Sequence, residues 1–481
     1  MSSPKPMLIG GRDVTSDQAI RSINPANGAV NFEICAASPA LIDQAVQVAA
    51  SASKARAWRD MVSHRRAALL FRLADLIAKE AETLARLQMI ENGKPWRECC
   101  AQAQSAAATF RYYGAVCETS TSDLTPARGN HLSMVVHEPY GVVAAITPWN
   151  SPLTMEAQKV APALAAGNAV VLKPSELTSS SALVLGRLAL EAGFPEGLLN
   201  VVPGTGDKAG AALVSHQGVR MVSFTGGTRS GRQIAAVAAQ RLVPAALELG
   251  GKSPQIVFAD ANLDAAVEAV AEGIFEGSGQ SCVAGSRLFL QRTIHDRFLD
   301  SLLARTQAIR VGAPEAPDTT MGPIASFHHR RQIESMVDEA RDRGARPLTG
   351  GCRPPSPGLE SGAYYLPTVM IDIDPKDPLV QQEIFGPVLC VLPFDDEADL
   401  VAQANDSVYG LAAGIWTRDF ARAWRVARAL EAGTVWINTY KQLSISTPFG
   451  GFKESGLGRE KGASGMRLYQ QSKSIFVGLS D

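Results

Sequence analysis

Apolar positions in the first hundred residues recur at helical spacing. Leu69, Leu70, Leu73, Leu76 and Ile77 fall on one face of a 3.6-residue repeat, and residues 41–92 predict helices that Gly93 stops. Residues 101–113 continue helical, with small side chains suited to close packing. From Val135 the pattern changes. Short apolar runs at 142–146, 169–172, 199–202 and 221–224 predict buried strands. Helices are predicted between them at 155–166, stopped by Gly167-Asn168, and at 180–192, stopped by Gly193 with Pro195 beyond. Strands alternating with helices imply a parallel sheet covered on both faces. Such sheets bind ligands at the carboxyl ends of their strands.

A second α/β pattern follows Gly251. Strands are predicted at 256–258 and 288–290, helices at 263–275 and 294–309, and Pro- and Gly-rich loops at 313–317 and 350–362. Residues 474–478 read as a short apolar strand. Left unpaired it would be a liability, so it is expected to pair within the protein or with a neighbouring subunit. No repeat of solenoid period is visible. The fold class is α/β.

Composition narrows the partners. The chain has 481 residues, long enough for two or three domains, and its net charge of −1 gives no electrostatic footprint for nucleic acid or an anionic membrane. Small molecules and other protein chains remain. The seven cysteines are odd in number and form no C-x-x-C, which argues against a disulfide framework or zinc site and for a reducing compartment. His328-His329 is the one histidine cluster and has no spaced set of partner ligands, so it reads as a solvated or interfacial pair and no metal is expected. The first residues carry Pro4, Lys5 and Pro6 without an apolar run of signal-peptide length. The longest apolar stretches are too short to span a bilayer. A cytoplasmic location is expected.

Candidate chemistry centres on Cys282, in Gly277-Ser278-Gly279-Gln280-Ser281-Cys282-Val283-Ala284-Gly285. Glycines and small polar neighbours suggest a thiol kept accessible on a flexible approach; the plainer reading is a buried small hydrophobe. Glu248 lies in Leu247-Glu248-Leu249-Gly250-Gly251-Lys252. A nucleophilic thiol and a general base are the parts needed to make and hydrolyse a thioester. The plainer reading of Glu248 is a helix-end or surface carboxylate. Asn150, in Pro148-Trp149-Asn150, ends the first strand, as an oxyanion donor or as a turn asparagine. No G-x-G-x-x-G occurs. Phe224-Thr225-Gly226-Gly227-Thr228-Arg229-Ser230-Gly231 follows a strand and opens a helix, where free N–H groups suit a pyrophosphate, though such a turn is often only a turn. Lys173-Pro174-Ser175-Glu176 is either solvated or a ribose-binding pair; a carboxylate there would favour NAD over NADP.

Together these segments resemble the aldehyde dehydrogenase superfamily, in its non-acylating, NAD(P)-dependent form. The match continues through Glu383-Ile384-Phe385-Gly386-Pro387-Val388 and Pro448-Phe449-Gly450-Gly451-Phe452-Lys453-Glu454-Ser455-Gly456-Leu457-Gly458-Arg459-Glu460, and runs over nearly the whole chain. The resemblance implies a Rossmann-like parallel-sheet cofactor domain (1–115 and 138–250), a second α/β catalytic domain (251–450), and a small β oligomerisation element (116–137 and 466–481) that forms a homodimer or homotetramer. It implies Cys282 as nucleophile, Glu248 as base and Asn150 as oxyanion donor with the Cys282 N–H. The implied cofactor is NAD, with NADP as the alternative. Lys173 and Glu176 would hold its adenosine ribose; Gly226, Gly227, Thr228 and Gly231 its pyrophosphate; Glu383 its nicotinamide ribose; Phe385 and Trp149 would flank the cleft.

Aldehyde oxidation through a thiohemiacetal and a thioester is the implied reaction. An acyl-CoA-forming relative would not need Glu248, and a cysteine hydrolase usually pairs its thiol with a histidine that these motifs lack. Ser151, Met155, Gln158, Glu276, Leu443 and Phe449 would line the substrate channel. Relatives acting on simple aldehydes carry aromatics at several of these positions, so a wider or more polar substrate is expected, one bearing a hydroxyl or a carboxylate. Gly227 stands where many relatives carry serine.

Overall fold

Five parallel strands form the centre of the larger sheet, in the order Leu199–Val201, Ala169–Lys173, Val142–Ile146, Met221–Thr225, Ala245–Glu248. The computed structural model describes residues 3–127 and 129–479; positions 1, 2, 128, 480 and 481 of the expected cofactor and oligomerisation segments lie outside the described residues. Val142–Ile146 and Ala169–Lys173 are buried at every position, as their unbroken apolar runs require when helices cover both faces. The covering helices include Pro152–Ala165, Ser180–Glu191 and Thr228–Gln240. Pro152 opens the first of them, where its fixed φ is already helical and its missing N–H is not needed. Three antiparallel strands that the periodicity did not mark extend the sheet: Met7–Ile9 and Arg12–Val14 at one edge, Gly456–Leu457 at the other.

This order puts a topological switch between Val142–Ile146 and Met221–Thr225. From the first strand the chain builds outward one way, then crosses back to build the other. Loops leaving the two carboxyl ends diverge there and open a crevice.

The second sheet runs Arg346–Thr349, Thr368–Ile371, Val388–Phe394, Arg287–Gln291, Pro254–Val257, Ala412–Trp416, Thr434–Ile437, and all its pairings are parallel except the first. Only the strands near 256 and 288 are predicted from the apolar pattern. Pro393 and Gly414 interrupt two of the others, and long-range pairing overrides these local signals. Leu263–Phe275 forms the predicted helix, capped by Asn262, whose side chain accepts from the Ala265 N–H at 3.3 Å.

Gln470–Gly478 pairs antiparallel along its whole length with His131–Pro139, which also pairs Asp123–Thr125. The predicted tail strand therefore pairs within the chain but stays at the edge of its sheet, with Ile475, Phe476 and Val477 exposed. The helix Trp96–Thr119 carries through positions 116–119. Among the described residues no helix is long and apolar enough to cross a membrane.

Candidate active site

Cys282 lies just beyond the helix Leu263–Phe275 and a tight turn, Glu276–Gly279. Gly277, Ser278 and Gly279 all have left-handed backbone, at φ 63°, 57° and 70°. Gly279 also packs on the backbone of Gly386, leaving no room for a Cβ. The glycines that suggested a flexible approach instead meet left-handed backbone and a close packing contact. Ser278 Oγ donates to the Gly322 carbonyl at 2.8 Å, and Gln280 Oε1 accepts from the Ala325 N–H at 2.8 Å. The glycines serve close packing of a pinned turn.

Glu248 is the last residue of its strand and is buried, against the plainer expectation of a surface carboxylate. Neither carboxyl oxygen has a hydrogen-bond partner. Burial, then the neighbouring Glu460, hold its pKa well above the usual carboxylate range, opposed by Lys159, Arg459 and Lys461. Glu460 itself is paired: Lys159 Nζ donates to its Oε1 at 2.7 Å. Gly251, beyond Glu248 in the same loop, packs on the Cys282 carbonyl, where a Cβ would come within 2.5 Å. The loop carrying the carboxylate and the turn carrying the thiol are thereby locked together.

Asn150 leaves the carboxyl end of Val142–Ile146, and its Nδ2 donates to the Gln280 carbonyl at 2.9 Å. Its amide is thus fixed on the backbone of the thiol turn. The Cys282 side chain is half-buried. Burial, then Glu383 and Glu248, push its thiol up to about 12.

A cavity of about 900 Å³ joins these groups. Cys282, Glu248 and Asn150 line it with Trp149, Gly226, Gly227, Glu383 and Phe385. All six channel candidates, Ser151, Met155, Gln158, Glu276, Leu443 and Phe449, line it too. Four cofactor candidates lie outside its wall, at the carboxyl edge of the larger sheet or in the helix that follows. Lys173 is buried rather than solvated, with Nζ donating to the Pro174 carbonyl at 2.7 Å and the Gly204 carbonyl at 2.9 Å, and Glu176 at 3.8 Å. Thr228 opens the helix Thr228–Gln240 with a buried, unpartnered hydroxyl, and Gly231 gives way to the Leu249 side chain.

The residues present suit a dinucleotide. Gly227 is the N-cap of Thr228–Gln240, and a Cβ there would meet nothing within 4 Å, so there is room for a ligand beside this helix N-terminus. Glu383 accepts from the Gly251 N–H at 3.1 Å, and burial pushes its carboxyl up to about 7. Trp149 meets Phe385 edge-on, ring centres 5.2 Å apart. Among the described residues no three His, Cys, Asp or Glu side chains are grouped to hold a metal ion.

Sequence reasoning missed several residues here. His329 is not a solvated partner of exposed His328: it lines the cavity, its Nε2 donates to the Phe385 carbonyl at 2.8 Å, and its ring lies 5.5 Å from that of Trp149. Glu460 closed a recognised motif but carried no assigned role. Lys159, behind it, has no local signal at all, since a helix lysine normally reads as solvent-facing. Lys94, Glu98, Lys441 and Lys461 complete the charged part of the lining.

Crevice, thiol and buried carboxylate fit an oxidoreductase that acts on aldehydes. The chain belongs to the aldehyde dehydrogenase family, whose family model matches residues 13–475. It is 42% identical to the 3,6-anhydro-α-L-galactose dehydrogenase of Streptomyces coelicolor over 482 residues, 99% of this chain and 96% of that protein. It superposes on the NAD⁺ complex of an aldehyde dehydrogenase from Bacillus cereus with a TM-score of 0.97, at 39% identity, over 99% of this chain and 97% of that one. The betaine aldehyde dehydrogenase of Staphylococcus aureus, also solved with NAD⁺, gives 0.97 at 37% identity, over 99% and 95%.

Proposed function

We propose that this protein oxidises an aldehyde to its carboxylate with NAD as acceptor, through a covalent adduct on Cys282. The observation that carries the reading is the shared cavity of a thiol, an amide donor fixed to the thiol's own turn, and a buried carboxylate without a partner. Cys282 Sγ attacks the aldehyde carbon as the thiolate, giving a thiohemiacetal oxyanion. Asn150 Nδ2 and the Cys282 N–H donate to that oxygen. NAD, when bound, supplies the acceptor for the hydride lost as the carbon passes to a thioester. Glu248 then takes a proton from water, which adds to the thioester carbonyl and releases the carboxylate and the thiol. A raised pKa makes Glu248 a stronger base once it is ionised.

For the cofactor, Gly226, Gly227, Thr228 and Gly231 present the helix N-terminus to the pyrophosphate, Lys173 and Glu176 the adenosine ribose site, and Glu383 the nicotinamide ribose site, with Phe385 and Trp149 alongside. The NAD⁺ complexes of the Bacillus and Staphylococcus relatives support NAD, and the Glu176 carboxylate disfavours a 2′-phosphate. Segments 1–115 and 138–250 then form the cofactor domain, 251–450 the catalytic domain, and 116–137 with 466–481 the surface of a homodimer or homotetramer. The polar lining from Ser151, Gln158 and Glu276 favours a polar aldehyde, in keeping with the anhydrosugar named for the Streptomyces relative.

NADH formation from a panel of aldehydes, with NAD and with NADP, tests the reading. Cys282→Ala should abolish it. Glu248→Gln should leave one burst of NADH per site followed by slow turnover, because the thioester persists. Full steady-state turnover in Glu248→Gln, or a CoA ester as product, would sink the assignment of the base.

A further inference from the structure

The lysines lining the cavity are each paired with a carboxylate, with one exception. Lys94 Nζ donates to Glu98 at 3.2 Å, and Lys441 Nζ lies 3.5 Å from Glu276. Glu460 is held by Lys159 behind the wall. Among the described residues, Lys461 Nζ takes part in no ion pair and no hydrogen bond. Its ammonium stands 4.9 Å from the centre of the Phe449 ring, in the same cavity as Cys282. Lys461 is buried, at 6% exposure. A buried ammonium without a counter-charge is costly, and an aromatic face offsets only part of that cost.

The backbone makes the placement more telling. Lys461 has φ 62° and ψ 179°, a region open in practice to glycine alone. Its neighbours hold it there from both sides. Phe449 and Glu460 exchange backbone hydrogen bonds at 2.7 and 2.8 Å, and the Gly462 N–H donates to the Ile445 carbonyl at 2.7 Å. Phe449, Glu460 and Lys461 are thus one braced unit. Glycine would relax this position, yet a long cationic side chain stands in it and enters the cavity. Two carboxylates lie near. Glu460 is committed to Lys159, and neither Glu460 nor Glu248 makes an ion pair with Lys461; their charges only oppose, at longer range, the lowering of its pKa by burial.

We infer that Lys461 is a specificity-determining residue that receives the carboxylate of an aldehyde substrate, so that the preferred substrates are ω-oxo acids. This rests on the reading of Cys282 as the nucleophile of aldehyde oxidation and names the substrate class for that site. A hydroxyl would offer the ammonium one dipole; a carboxylate supplies a full counter-charge and a charge-assisted hydrogen bond. Phe449 and Cys282 border the same apolar cluster and line the same cavity, and Lys461 stands over the Phe449 ring, which places the charge on the thiol's side of the cavity.

The test compares kcat/KM for succinic and glutaric semialdehydes with that for butanal and pentanal, in wild type, Lys461→Met and Lys461→Arg. Wild type should favour the oxo acids by at least about 10-fold, the scale of one charge-assisted hydrogen bond. That ratio should fall by roughly 10- to 100-fold in Lys461→Met, mostly through KM, and survive in Lys461→Arg. Should Lys461→Met fail to fold, wild type alone decides: succinate and glutarate should compete with a neutral aldehyde, and the corresponding diamides should not. An unchanged ratio in Lys461→Met, or equal inhibition by diacids and diamides, overturns the inference and leaves the aldehyde chemistry standing. Absence of NADH with every aldehyde overturns the underlying reading instead.

Discussion

Lys159 and Glu460, 301 residues apart in the chain, form a buried ion pair at 2.7 Å behind the Glu248 carboxyl. Ser223 Oγ closes the group, 3.2 Å from Lys159 Nζ and 2.9 Å from the Tyr469 hydroxyl. Removing one partner leaves an uncompensated buried charge. Lys159→Met should therefore lower the unfolding free energy by roughly 3–5 kcal/mol, read from urea midpoints. It should also move the activity profile to higher pH, because Lys159 is the leading cation that restrains the pKa of Glu248. A variant as stable as wild type would contradict the pairing.

Asn150 makes its one assigned hydrogen bond to the Gln280 carbonyl and is only half-buried. Asn150→Ala should cost kcat about 10²- to 10³-fold with KM little altered, as expected for a donor that acts on developing negative charge. Steady-state kinetics with a good aldehyde checks this. A change confined to KM would mean that the amide only binds substrate.

Gly227 is an N-cap without a side-chain hydrogen bond, at φ −67° and ψ 144°, and space beside it is open. Serine fits that conformation and caps helices. Gly227→Ser should raise stability by about 0.3–0.5 kcal/mol or leave it unchanged. It should also lower the KM for NAD, since the hydroxyl faces the proposed pyrophosphate site. Thermal melting and NAD titration test the two halves separately.

Burial raises the Glu91 carboxyl from 4.5 to about 7, against hydrogen bonds from Ser180. Between those values the folded state holds a proton that the unfolded chain has lost. The associated stability is fully present below 4.5 and is lost as pH rises through about 7. Relative to Glu91→Gln, wild type should lose on the order of 2–3 kcal/mol across that window. Denaturant unfolding of both proteins at the two ends of the window measures it; parallel curves would refute the shift.

Phe476, exposed at 66%, and Ile475 lie on the open edge strand Gln470–Gly478. If this edge is the proposed assembly surface, Phe476→Asp should shift the protein towards monomer in light scattering without altering its circular dichroism. An unchanged mass would move the interface elsewhere.

The alternation of elements, and with it the α/β class, is legible in the residue pattern. The predicted strands near 142, 169, 199 and 221 and the helix 263–275 follow from short-range periodicity and stop signals, which need no knowledge of distant partners. The sequence also placed the thiol, the carboxylate and the amide in motifs whose order along the chain is specific. What surrounds them follows from long-range packing. Taken in isolation, Lys173 reads as solvated but closes on two carbonyls, and Glu248 reads as a surface group but ends a buried strand. Lys159 and Lys461 have no local signal and His329 shows only as half of a histidine pair, because each acquires its place from residues far away in sequence. Propensity acts over a few residues, whereas burial and charge pairing are set by whichever segments the fold brings together.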